Sequence, residues 1–331
     1  MRDRLGRPLM DLRVSVTDSC NFRCTYCMPK DLFGEGYPFL PPDRLMGYDE
    51  LLTIIKIGTQ LGVRKVKITG GEPLQRPGIE KFVEEVVNLG TLEDIGLITN
   101  GFYLENRAED LYRRGLRRIT VSLDSLNPHT FAEITGRAGN LEKVLAGIQA
   151  ARSVGFDPVK VNMVVQRGIN SSEILPMVRY FRSTGVILRF IEYMDVGQRH
   201  LYDSKLMVPS REIFETIHKE YPLAPLEPTQ FGEVAQRYAF VDGQGEVGFI
   251  SSMTQPFCGN CTRLRLSADG KLYRCLFSGI GMDVREMMRN GGTDQEFREK
   301  IGAFWGIRDD RYSEIRGSYE PEKIEMYRMG G

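Results

Sequence analysis

Before residue 222 the chain alternates strand-like and helix-like segments six times, and this repeat constrains its fold more than any other feature. Residues 11–17 set the pattern. Leu12, Val14 and Val16 share one face, and Arg13, Ser15 and Thr17 the other, which is the period of a strand. Further strands are expected at 65–69, 94–99, 118–124, 159–165 and 186–194. Helices are expected at 49–61, 79–89, 104–116, 172–183 and 210–219, with a run to about 153 broken near Gly139. Gly62 ends the first of them and Ser210 caps the last. Strands separated by helices form parallel sheets of βα units, and right-handed crossovers wind such a sheet into an open or barrel-like form. The ten residues before the first strand read as a polar arm, and 222–228 as a proline-rich linker. Residues 236–250 read as a hairpin around Asp242-Gly243-Gln244-Gly245.

The strands are greasy on one face only. A closed barrel fills its interior with aliphatic side chains, and a doubly covered sheet is continuously apolar. Here the second face carries Arg13, Lys65, Lys67, Lys160 and Arg189. Five buried cations without partners would be prohibitively costly. The pattern therefore points to a wet concavity holding a strongly anionic ligand such as a polyphosphate, or to ion pairs with Asp124 or Glu192. Lysine plus arginine equals aspartate plus glutamate at 44 each, so the anion site is local and nothing argues for nucleic acid or a membrane surface. The charged start lacks an apolar signal core, and a cytoplasmic location is expected.

All six cysteines fall into two triads. Cys20, Cys24 and Cys27 follow the first strand at C-x3-C-x2-C spacing. Cys258 and Cys261 form a C-x2-C pair, and a turn at Ala268-Asp269-Gly270 brings Cys275 back beside them. Clustered thiolates suit zinc or iron–sulfur centres. A cubane cluster on three cysteines leaves one iron open for a small molecule, whereas structural zinc prefers four protein ligands. A C-x2-C pair alone also suits a zinc knuckle or a redox pair. Arg263 and Arg265 lie two apart on a strand and share a face.

Cys20-x3-Cys24-x2-Cys27, with Tyr26 before the last cysteine, resembles the signature of the radical S-adenosylmethionine superfamily, and Thr69-Gly-Gly-Glu-Pro73 resembles its second motif. The second triad, Arg13, Arg263-Leu264-Arg265 and the terminal Gly330-Gly331 narrow the resemblance to the GTP 3′,8-cyclase family of molybdenum cofactor biosynthesis, over nearly the whole chain. The resemblance implies an α/β fold, a partial (β/α)6 TIM-like barrel with a C-terminal β-rich extension carrying a second cluster. Residues 1–221 would form the barrel with its cluster. Residues 222–331 would supply the second cluster, the substrate arginines and the tail.

The implied cofactors are two [4Fe-4S] clusters, on Cys20, Cys24, Cys27 and on Cys258, Cys261, Cys275, and S-adenosylmethionine near Tyr26, Gly71, Glu72, Ser122, Asn162 and Met194. GTP would meet Arg13, Lys65, Lys67, Lys160, Arg189, Arg263, Leu264 and Arg265. The chemistry would be carried by the clusters without a side-chain acid or base, supported by Arg13, Arg263, Arg265, Gly330 and Gly331. A 5′-deoxyadenosyl radical would take hydrogen from C3′ of GTP, and the ribose would close onto C8. An electron donor, hand-over to cyclic pyranopterin monophosphate synthase and a homodimer are implied partners. Two positions depart from the family pattern: Lys67 stands where an arginine is expected and Ile98 where a threonine is common. The competing readings are another radical enzyme with an auxiliary cluster, such as a peptide maturase, and a metal-binding protein without turnover. The tail is expected to reach into the barrel, since glycine alone threads so crowded a site; the alternative is a frayed end.

Overall fold

The computed structural model describes residues 1–197, 202–318 and 322–330. Among these, the strands are β1 (Asp11–Ser15), β2 (Lys65–Thr69), β3 (Asp94–Thr99), β4 (Arg118–Ser122), β5 (Val159–Val165), β6 (Ile187–Glu192), β7 (Leu223–Leu226), β8 (Gln236–Phe240), β9 (Glu246–Ile250), β10 (Arg263–Leu266), β11 (Lys271–Tyr273) and β12 (Met282–Asp283). The helices are α1 (Tyr48–Leu61), α2 (Ile79–Val87), α3 (Ala108–Arg113), α4 (Pro128–Thr135), α5 (Leu141–Val154), α6 (Ile174–Phe181), α7 (Ser210–Glu220), α8 (Val284–Arg289), α9 (Asp294–Gly306) and α10 (Met326–Met329). None of them is long and apolar enough to cross a membrane.

All twelve strands join one sheet in the order β12-β11-β10-β1-β2-β3-β4-β5-β6-β9-β8-β7. Strands β1 to β6 are parallel, and each of their buried aliphatic faces meets a helix, as the alternation in the sequence requires. The sheet does not close on itself, so the architecture is a partial barrel. The extension is more deeply integrated than its sequence suggests. Strand β10 pairs parallel with the free edge of β1, and β9 parallel with the free edge of β6. One C-terminal segment thus borders both edges of the six-strand core.

Strand register sets out the polar face. Arg265, Arg13, Lys67, Gly96 and Arg118 are successive neighbours across five strands. A second row runs Arg263, Asp11, Lys65, Asp94, and a third Ser122, Asn162, Arg189. Period-two side-chain direction keeps the members of each row on one face.

Four local expectations are corrected. Residues 1–10 are not an arm: Arg7 is buried, bonds to Asp3 at 2.6 Å, and donates to the carbonyls of Cys258 and Asp310 at 2.9 and 2.8 Å. The 222–228 stretch contains β7, where Pro225 is tolerated because the strand lies at the sheet edge. The 104–116 helix shrinks to α3, preceded by turns. Ser210 does not cap α7 with its side chain; its amide donates to Glu192 Oε1 at 2.7 Å.

Candidate functional site

The first triad follows β1 on a loop tied down by its own arginine. The Arg23 guanidinium donates to the carbonyls of Cys20 (2.7 Å), Phe22 (2.9 Å) and Phe33. The Arg23 and Thr25 amides bond to the carbonyls of Thr135 and Ile134 at the end of α4. Cys20, Cys24 and Cys27 line one cavity. Burial pushes all three thiols up, Cys20 to about 12, and the mutual proximity of Cys20, Cys24 and Cys27 adds to the effect for Cys24 and Cys27. Three buried thiols whose ionised forms would repel one another suit a cationic core that would hold them as thiolates. Among the described residues, no three His, Cys, Asp or Glu side chains are arranged to hold a single metal ion. Three sulfur donors lining one cavity are nonetheless the donor set that suits an iron–sulfur cluster, so the residues fit that group.

Tyr26, Gly71, Ser122, Asn162 and Met194 line the same cavity. The Tyr26 hydroxyl donates to Asp124 Oδ2 at 2.6 Å, and Asp124 Oδ1 accepts from the Val164 amide at 2.7 Å. Burial lifts the Asp124 carboxyl to about 6 against both hydrogen bonds. Asn100 Nδ2 lies 3.7 Å from Cys20 Sγ. Gly71 admits no side chain: a Cβ there would lie 2.2 Å from the Ser19 carbonyl oxygen. Glu72 belongs to the wall and not to the lining. Its carboxylate accepts from the Leu74 amide (2.9 Å), the Thr99 hydroxyl (2.7 Å) and the Asn100 amide (2.7 Å), and burial raises it to about 7.

The second triad lines a cavity together with Arg13, Arg189, Arg263, Arg265 and Arg308. Burial raises the Cys275 thiol to about 11. Burial would raise Cys261 as well, but the guanidinium groups of Arg263 and Arg308, at 3.4 and 3.0 Å from its sulfur, bring it down to about 6. Burial, reinforced by Arg263, lowers Arg13 to about 10, and burial does the same to Arg189. Arg265 donates to the carbonyl of Gly330 at 2.7 Å. Gly330 is buried with φ +67°, and a Cβ there would lie 2.0 Å from Thr69 Cγ2. The tail thus enters the barrel at Gly330; Gly331 lies outside the described residues. Leu264 points into the hydrophobic core, as its place between two inward arginines requires.

A third cavity opens between the N-terminal ends of the strands and gathers Arg13, Lys65, Lys67, Arg118, Lys160, Arg189 and Arg263. Neither Asp124 nor Glu192 neutralises these cations. Glu192 instead accepts from the backbone of Ser210, Met253 and Thr254. Asp94 pairs with two of them, 2.9 Å from Lys67 and 3.3 Å from Arg118, and Asp11 and Glu233 also line the cavity. Burial, with Arg189, Arg118 and Lys67 adding repulsion, lowers the Lys160 ammonium to about 8.

The three cavities share walls. Ile98 lines all of them, Asn162 and Met194 lie between the two cysteine cavities, and Arg13, Arg189 and Arg263 lie between the second and third. Arg189 Nε donates to Asn162 Oδ1 at 2.9 Å and so braces the junction. Sequence reading missed Arg118 and Arg308. The signal for Arg118 was available, because it shares the alternation of Thr120 and Ser122. Arg308 follows α9 with no local pattern to mark it.

A family model described as Molybdenum Cofactor Synthesis C matches residues 186–314, and one described as the Radical SAM superfamily matches residues 14–181. The GTP 3′,8-cyclase of Staphylococcus saprophyticus is 47% identical over 335 residues, spanning 99% of this chain and 98% of the relative. The chain belongs to the GTP 3′,8-cyclase family. The GTP 3′,8-cyclase of Xanthomonas campestris pv. campestris is 46% identical, over 100% of this chain and 97% of its own. Among solved structures, Streptococcus suis SuiB bound to S-adenosylmethionine superposes with a TM-score of 0.64 over 94% of this chain and 68% of that one, at 15% identity. Native anSMEcpe with bound AdoMet gives 0.53 over 87% and 82%, at 16%. At such identities the likeness is one of fold. Membership in the GTP 3′,8-cyclase family carries with it [4Fe-4S] clusters and S-adenosylmethionine as cofactors.

Proposed function

We propose that this protein converts GTP to (8S)-3′,8-cyclo-7,8-dihydroguanosine 5′-triphosphate, the first step of molybdenum cofactor biosynthesis. The observation that carries the reading is the continuity of the three cavities: two cysteine triads face one interior, and its far end is cationic. Cys20, Cys24 and Cys27 would hold one [4Fe-4S] cluster, and Cys258, Cys261 and Cys275 the other. When bound, the first cluster and S-adenosylmethionine supply one-electron cleavage and a hydrogen-abstracting radical.

The chain's own residues bind, orient and shield. Lys65, Lys67, Lys160 and Arg189, joined by Arg118, would neutralise the triphosphate at the strand ends. Arg13, Arg263 and Arg265 would hold the nucleotide against the second triad, where guanidinium forks suit oxygen-rich ligands. Tyr26, locked by Asp124, with Gly71, Ser122, Asn162 and Met194, would form the S-adenosylmethionine face. Glu72 would act indirectly, by fixing Thr99 and Asn100 at the cavity wall. Ile98, Ile191 and Met326 make the junction apolar and keep water from the reacting centre. Gly330 would close that wall.

Residues 1–221 would thus supply the radical-generating half and residues 222–331 the substrate-holding half of one continuous sheet. An external one-electron donor, hand-over of product to cyclic pyranopterin monophosphate synthase, a homodimer and a cytoplasmic location belong to the same proposal. The test is anaerobic reconstitution with iron, sulfide, S-adenosylmethionine, reductant and GTP. About eight iron atoms per chain and a GTP-dependent cyclised product are expected. Zinc without iron, or 5′-deoxyadenosine release indifferent to GTP, would overturn the reading.

A further inference from the structure

The Asp195 carboxylate is where the loop after β6 meets the C-terminal segment. Asp195 lies just past the end of β6, next to Met194, in the loop that walls both cysteine cavities. Its side chain is 13% exposed, and three side chains of the C-terminal segment converge on it. Tyr312 Oη donates to Oδ2 at 2.5 Å, Lys323 Nζ stands 2.8 Å from the same oxygen, and Arg316 Nε lies 2.9 Å from Oδ1. Lys323 Nζ also donates to the Asp195 carbonyl at 2.9 Å. Both cations lie over the ring of Tyr312, Arg316 at 5.3 Å and Lys323 at 4.8 Å. A short way downstream the chain reaches Gly330, pinned by Arg265 and crowded by Thr69.

We infer that Asp195 is the latch that keeps the C-terminal segment seated in the barrel. It is a positioning residue, acting on the cavity through Gly330. One carboxylate gathers a hydroxyl and two cations from the residues between 312 and 323, upstream of the contacts that Tyr327 makes with Phe33 and Tyr37 and Gly330 makes with Arg265, so the approach of the tail to the barrel hangs on that charge. Truncating one partner of a buried charge cluster leaves the others uncompensated. Removing the charge therefore releases the segment without touching the cysteines or the strand cations. The arrangement also ties tail seating to the neighbouring Met194 wall, so the cavity is completed from both sides together. The latch rests on geometry alone; its effect on turnover rests on the cyclase reading.

The experiment uses the reconstituted full chain. Asp195→Asn keeps size and one acceptor but loses the charge. Timed trypsin digestion, read by mass spectrometry at the bond after Arg328, reports tail release without GTP. Cleavage is expected to quicken by about tenfold or more while the thermal midpoint stays near wild type. The pair Arg316→Gln with Lys323→Gln removes the same latch from the other side, should match it, and stands in if Asp195→Asn does not fold. Turnover of GTP should fall in Asp195→Asn, yet show no further fall in a chain already lacking Gly330 and Gly331, because both changes act through one element. Unchanged cleavage after Arg328 in a folded variant overturns the latch. So does an equal loss of turnover with and without the two glycines. Quickened cleavage after Arg328 in Asp195→Asn, with a wild-type protein that does not turn over GTP, would sink the cyclase reading and leave the latch standing.

Discussion

Raising the pH should weaken nucleotide binding through one residue, Lys160. In the nucleotide-free protein, burial and the neighbouring cations hold its ammonium near 8 instead of 10.5. A triphosphate in the cationic cavity supplies the missing counter-charge and raises that value again, so binding takes up a proton whenever Lys160 starts neutral. Affinity then falls as pH rises through about 8. With the bound-state value restored to the ordinary lysine range, the loss between about pH 7 and about pH 9 is roughly tenfold. The sign for folding is opposite. Between about 8 and 10.5 the unfolded chain binds more protons than the folded one, so Lys160 makes the protein more stable as pH rises there, and weaker binding cannot be blamed on unfolding. The assay is anaerobic titration calorimetry of GTP at constant ionic strength. Lys160→Met is the control, since it keeps the ligand's own titration and removes the lysine's. Equal slopes in the two proteins would refute the argument.

Three further outcomes follow from the geometry. Gly330→Ala combines a positive φ with a Cβ 2.0 Å from Thr69 Cγ2, a cost of about 2–4 kcal/mol against seating the tail; hydrogen exchange of residues 326–330 should rise accordingly, and Thr69→Ala should recover part of it. Gly71→Ala would press on the Ser19 carbonyl and displace the loop that begins at Cys20, so reconstituted protein should carry about half the wild-type iron, the second triad keeping its share. Arg308→Met removes a buried guanidinium that bonds to Cys261 Sγ, the Cys261 carbonyl, the Arg274 carbonyl and Asp3, and should cost about 3–5 kcal/mol in chemical denaturation.

Much of the site could be read from the sequence, because its signals are local. The period of each barrel strand separated Lys160 and Asn162 from the buried valines beside them, and the cysteine spacing isolated both triads. What could not be read depends on distant pairing. Nothing in 263–266 says that β10 will lie parallel against β1, yet that pairing aligns Arg265 with Arg13. Asp94 looked like the start of an ordinary strand, and only the register with Lys65 and the reach of Lys67 across Gly96 make it the counter-ion of Lys67. Glu72 misled for a related reason: a motif marks a neighbourhood, but three hydrogen bonds within the wall decide where its carboxylate points. Arg7 and Arg308 were invisible because their partners, backbone carbonyls, Asp3 and for Arg308 the Cys261 sulfur, meet them through the fold and at no spacing that a local pattern marks.

The strands that border both edges of the six-strand core have a consequence for how the molecule is made. A nascent chain that has emerged only as far as α7 holds β1 to β6 with two long parallel edges open, each offering unpaired backbone groups to any passing strand. Both edges are covered by β9 and β10, which leave the ribosome last among the parallel strands. The final third of the protein therefore serves as the chain's own protection against edge-to-edge aggregation. A shortened product ending near residue 221 would be expected to accumulate as insoluble material, whether or not its first three cysteines are intact.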